Sequence, residues 1–121
     1  MPAALGSESQ PTDPEDLKII NMARATLARS QAREAACVRD SDGRTYAASS
    51  VDLPHLRLNA IAVAITMAVS SGASGLEAVA LAGESNPTEN DLALIRDLPS
   101  DGVVVWTVDP AGSVRGLVES E

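Results

Sequence analysis

Phenylalanine is absent from this chain, and Tyr46 and Trp106 are its only aromatic residues. A core without large rings has to be filled by Ala, Val, Leu and Ile, and few aromatic faces remain to stack on a base. There is one cysteine, Cys37, which excludes an internal disulfide and a cysteine zinc knot and fits a reducing compartment. It lies in an apolar run and reads as a small buried hydrophobe. Basic residues are scarce: 9 Lys and Arg stand against 17 Asp and Glu, a formal charge of -8. Affinity for a phosphate backbone comes mostly from Lys and Arg, so nucleic acid is not an expected partner. No basic segment followed by an apolar one opens the chain, so no secretion signal is expected. No apolar run reaches the roughly 20 residues of a membrane span. These absences together lead us to expect a soluble, cytoplasmic protein that does not engage a membrane.

What is there is aliphatic. Hydrophobic residues make up 45% of 121 positions, enough for one domain with a single real core. Residues 1–13, rich in Ser, Pro, Gly and Ala, are expected to form a flexible tail, and residues 14–121 a single domain. Asp13 is a candidate N-cap, Pro14 suits the first helical position, and Leu17, Ile20, Ala23 and Leu27 recur at helical spacing, which predicts a helix over 14–31. Segments 35–38 and 45–48 read as strands joined through Asp42-Gly43, a pair suited to positive φ in a tight turn.

A loop through Pro54 leads to a second helix expected over 56–71 and terminated at Gly72. Its apolar side chains point in every direction, which calls for cover on several sides. A third strand is expected over 77–82, a short helix capped by Thr88 over 90–98, and a fourth strand over 103–108. Residues 109–113 are too few for a parallel crossover, so a last strand over 114–118 should pair antiparallel to the fourth. The resulting order, α-β-β-α-β-α-β-β, defines an α/β protein with a five-stranded mixed sheet in three layers.

Other constellations are weaker. Arg24, Arg29, Arg33, Arg39 and Arg44 gather in the first half and read as a solvated helix face and hairpin, or as a contact to an acidic partner. His55, the only histidine, lies near Ser49, Ser50 and Asp52, but nothing in the spacing brings a nucleophile to a base, and no G-x-S-x-G elbow is present. Gly72-Ala73-Ser74-Gly75 matches no phosphate-loop pattern and reads as a turn.

Three stretches, Asp42–Ala47, residues 64–72 and Pro87–Asp91, together resemble the cytidine deaminase-like family in its short, homo-oligomeric form, and most of all its short actinobacterial members. Asp42-Gly43-Arg44-Thr45-Tyr46-Ala47 resembles the family's DGR-x-Y hairpin, and residues 64–72 its AL-x-x-AVS-x-G helix end. Pro87-Thr88-Glu89-Asn90-Asp91 stands where the family has P-C-x-x-C before a helix. The resemblance spans about 16–112. It implies a reaction in which zinc, held by three Cys or His residues, activates a water while a nearby Glu moves protons. On the shared helix end, Asn59 falls at the first ligand and Ile61 at the Glu; a register shifted by one gives Leu58 and Ala60. Thr88 and Asp91 fall at the other two ligands.

Asn59, Thr88 and Asp91 carry one formal charge among them, a set too poor for zinc. The family's N-x-E ribose pair becomes Ser50 and Asp52, which with His55 are the candidate ligand-binding residues. The resemblance then implies a zinc-less, non-catalytic protein without cofactor. It would act through self-association, as a dimer or tetramer, or through an unidentified protein partner. A binder of a nucleoside or other small molecule that retains the cleft is the alternative, and an active cytidine deaminase-type hydrolase the third.

Overall fold

The computed structural model describes residues 10–120, so most of the expected tail lies outside the described residues. Helix α1 spans Pro14–Ser30. Asp13 caps it by accepting from the Glu15 amide at 2.9 Å, and Gln31 ends it in the left-handed region at φ 61. Strands β1, Glu34–Asp40, and β2, Thr45–Ser49, pair antiparallel with Cys37 opposite Ala47. Helix α2, Ala60–Ser70, strand β5, Leu76–Gly83, and helix α3, Glu89–Arg96, follow, and then β6, Val103–Val108, and β7, Val114–Ser120. The main sheet has the order β2-β1-β5-β6-β7. Its one parallel pair, β5 with β6, is joined by the α3 crossover, and β6 and β7 pair antiparallel as the short 109–113 turn requires.

Two expectations need correction. The second helix begins at Ala60 rather than at residue 56, so Leu58 and Asn59 are not helical. Residues 51–58 form a separate two-stranded ribbon, β3 (Val51–Asp52) with β4 (Arg57–Leu58), which pairs Val51 with Leu58. Cover on every side of α2 is also absent among the described residues. Ala60, Ile61, Ala64, Ile65 and Ala68 are buried against the sheet, whereas Met67 is 40% and Val69 53% exposed.

The sheet carries two aliphatic layers. On the α1 face Ile19, Ile20 and Ala23 pack on Cys37, Ala80 and Trp106. On the α2 and α3 face Ile61, Ile65 and Ile95 pack on Val38, Val79 and Leu81. Small residues in β1 and β5, among them Ala36, Ala78, Ala80 and Ala82, keep both helical layers close to the sheet.

The arginines expected on a solvated surface are not all there. Arg39 is only 8% exposed and ties α1 to the sheet, donating to Asp16 Oδ1 at 3.0 Å and to Glu77 Oε1 at 2.9 Å. Burial opposes its charge, but the bonds to Glu77 and Asp16 outweigh that and push its pKa up. The other oxygen of Asp16 accepts from the Trp106 indole at 3.1 Å, so one carboxylate links α1 to both β1 and β6.

Candidate functional site

Two helix N-termini meet at one edge of the α2 and α3 layer, and there three of the sequence-predicted positions, Asn59, Thr88 and Asp91, converge. Thr88 caps α3 in a capping box: its hydroxyl accepts from the Asp91 amide, and Asp91 Oδ2 accepts from the Thr88 amide, both at 3.0 Å. Asp91 is 1% exposed, and its other oxygen accepts from Asn59 Nδ2 at 3.3 Å. Asn59 is the N-cap residue of α2, but its side chain makes no capping bond. It turns instead toward α3 and Arg33, donating to Asp91 and accepting from Arg33 Nη2 at 3.0 Å.

Sequence reasoning missed two members of this network. Glu34, 3% exposed, accepts from the Ala60 amide through Oε2 at 3.0 Å and so caps α2 from the neighbouring strand. A carboxylate is well placed at the positive end of a helix dipole. Arg33 approaches the same oxygen at 4.0 Å. The available signal was a charged pair, Arg33-Glu34, entering a strand that is otherwise apolar until Arg39.

Ile61 does not join the polar cluster. It is fully buried in the aliphatic layer beneath α2. Leu58 and Ala60, the residues of the shifted register, are a strand residue and a buried helix residue, and neither brings a ligating side chain.

The other candidates are dispersed. The Ser50 hydroxyl accepts from the Glu34 amide at 3.3 Å, and the Ser50 amide donates to the Glu34 carbonyl at 2.9 Å, which commits Ser50 to the strand start. Asp52 pairs with Arg57 at 3.3 Å, both side chains 74% exposed, a contact of small energetic weight. His55 is exposed at the tip of the ribbon and is hydrogen-bonded to neither. A groove of about 450 Å³, lined by Arg33, Val51, Asp52, Arg57, Leu58 and Asn59, runs from the ribbon to the cluster. Among the described residues no group of three or more His, Cys, Asp or Glu side chains is placed to share a metal ion.

The hairpin that carries the first resemblance is a structural turn. Asp40 accepts from the Asp42 and Arg44 amides at 3.0 and 2.9 Å and from the Tyr46 hydroxyl at 2.8 Å. Burial pushes its carboxyl up, but these bonds and the Arg44 charge more than offset that and hold it below the usual carboxylate range. Cys37 is inert: burial pushes its thiol up to about 11.

A three-layer α/β domain with its polar cluster where two helix N-termini meet defines the class of fold. The model of the cytidine deaminase-like family matches residues 12–112, and the chain belongs to that family. Among curated proteins, none matches the sequence significantly. Among solved structures, cytidine deaminase from Burkholderia pseudomallei is similar at TM-score 0.72 and 20% identity, covering 84% of this chain and 91% of that one. Cytidine deaminase from Mycobacterium leprae gives 0.68 at 20% identity, covering 86% and 94%. The Mycobacterium tuberculosis enzyme gives 0.64 at 18% identity, covering 77% and 85%. At this identity the likeness establishes the fold. No helix among the described residues is long and apolar enough to cross a membrane.

Proposed function

We propose that this chain is a zinc-less, non-catalytic member of the cytidine deaminase-like family that acts by associating with itself or with a protein partner. One observation carries the reading: Asn59, Thr88 and Asp91 spend their polar atoms on one another and on Arg33, while Ile61 lies in the core. The donor set does not fit zinc. An amide and a hydroxyl are poor ligands for it, both Asp91 oxygens already accept hydrogen bonds, and the Arg33 guanidinium lies within hydrogen-bond reach of Asn59.

Self-association is supported by α2. None of its residues is charged, yet Met67 and Val69 are exposed on its outer face. The lone cysteine, held as a buried thiol, is in keeping with a cytoplasmic protein. The test is metal analysis of untagged protein, cytidine turnover and sedimentation. Substoichiometric zinc, no uridine and a dimer or tetramer are expected. One zinc per chain with turnover would overturn the non-catalytic reading in favour of a deaminase, and a strict monomer would overturn self-association.

A second reading has its own observation. The groove beside Asp52 and Asn59 has room for a small polar molecule, and a nucleoside is the ligand to try. A saturable thermal shift with a nucleoside, lost in Asp52→Ala, supports it, and silence across a nucleoside panel refutes it.

A further inference from the structure

The chain reaches Thr88 and Asp91 from the sheet through residues 84–87, a loop with no backbone-to-backbone hydrogen bond among the described residues. Among the described residues, the hydrogen bonds this loop does make all come from one side chain on the last strand. Arg115 donates from Nη2 to the Ser85 carbonyl at 2.9 Å and to Asn86 Oδ1 at 3.5 Å, and from Nη1 to the Gly83 carbonyl at 2.6 Å. Arg115 forms no ion pair among the described residues, although the chain carries 17 Asp and Glu. Its Nε is buried and has no hydrogen-bond partner among the described residues. A buried unpaired donor is costly, so the guanidinium is oriented to grip the loop rather than to satisfy all of its own donors.

The backbone explains the aim. Thr107 pairs with Gly116 and Val108 with Val114, which leaves Arg115 as the extra residue of a β-bulge. Bulges re-aim side chains, and this one turns Arg115 from the edge strand across β6 toward the end of β5. Gly83, whose carbonyl it grips, lies opposite Glu34 with φ +148, and a Cβ there would come within 3.0 Å of the Arg33 carbonyl and of Glu34 Cβ. Arg115 thus holds the point from which both halves of the polar cluster depart, Arg33 and Glu34 on one side and Thr88 and Asp91 on the other. The bond that joins the halves, Asn59 to Asp91, is 3.3 Å long. A few tenths of an ångström outward takes it beyond hydrogen-bond distance.

We propose that Arg115 is a positioning residue of this site, anchoring the 84–87 loop so that Asp91 reaches Asn59. The inference rests on the reading that Asn59, Thr88 and Asp91 form one site. The test is NMR on the full chain, following exchange of the Thr88 and Asp91 amides and the side-chain amide signal of Asn59. In Arg115→Met both backbone amides should exchange at least roughly tenfold faster, with amides of β1 and α1 within about twofold of wild type. The Asn59 signal should move toward that of a free amide. Arg115→Lys, which keeps the charge without the fork, should fall between. Thr107→Val removes the Thr107 bond to the Gly116 carbonyl at the same bulge and should leave all three signals unchanged.

The proposal is overturned if Arg115→Met leaves the signals at wild type, if exchange quickens uniformly across the sheet, or if Thr107→Val has the same effect. Should Arg115→Met not fold, wild-type exchange in Arg115→Lys overturns it instead. Zinc content and turnover are read separately, so failure here is distinct from failure of the non-catalytic reading.

Discussion

Replacing Ile61 with glutamate puts a carboxylate where the family resemblance places the reaction's acid, and it also puts one into the aliphatic layer under α2. Ile61 is fully buried in the cluster that contains Val38, Val79 and Leu81. Losing its packing costs about 2–5 kcal/mol, as for other large-to-small changes in cores. Ionising the new acid there adds about 1.4 kcal/mol for each pKa unit by which burial raises it, and full burial raises it by several units. The total at pH 7 is on the order of 4–8 kcal/mol, against a stability of about 5–15 kcal/mol for a typical domain.

The pH dependence separates the two contributions. A folded-state pKa raised above the unfolded value leaves the acid's contribution intact below the unfolded value, about 4.3. Stability is then lost as pH rises toward the folded value. Ile61→Glu should therefore match Ile61→Gln near pH 4 and be clearly weaker at pH 7. Urea unfolding followed by the fluorescence of Trp106, the only tryptophan and 6% exposed, measures both. Stability of Ile61→Glu within about 0.5 kcal/mol of wild type, with no pH dependence relative to Gln, would refute the argument. Position 61 would then face an open cleft.

Two further outcomes follow from the hairpin and the buried thiol. Asp40 is held below the usual carboxylate range, so the stability it contributes is present above about pH 4 and lost as pH falls through its folded value. Asp40→Ala should lose roughly 1–2 kcal/mol at pH 7, from three donors left without an acceptor, and less at pH 2. An equal loss at both values in urea titrations would show that the carboxylate charge is irrelevant. Cys37 should resist a thiol-specific disulfide reagent at pH 8 in the native protein and react fully in denaturant, because burial removes it from solvent and raises its pKa to about 11. Immediate stoichiometric labelling of the native protein would contradict its placement beneath α1.

The chain's local signals were enough for most elements. Asp13-Pro14 opens α1, Asp42-Gly43 turns the first hairpin, Thr88 caps α3, and the shortness of 109–113 forces the last two strands antiparallel. These depend on neighbours within a few residues, and short-range chemistry is what a sequence displays directly. The start of α2 was not legible. Leu58 and Ile61 belong to one apolar run, and hydrophobicity does not distinguish a strand residue paired with Val51 from the first turn of a buried helix.

The site divides in the same way. Which side chains stand at positions 59, 61, 88 and 91 can be read directly from the chain: an amide, an alkyl group, a hydroxyl and a carboxylate. It took the folded chain to turn Asn59 away from its own helix toward Asp91, 32 positions on, and to bring Glu34, 26 positions before Ala60, to cap α2 in its stead. Because β1 sits beside β5 in the sheet, it delivers Arg33 and Glu34 to the mouth of a helix they do not adjoin in the chain. Composition states what a residue can donate or accept, and the fold alone supplies the partner.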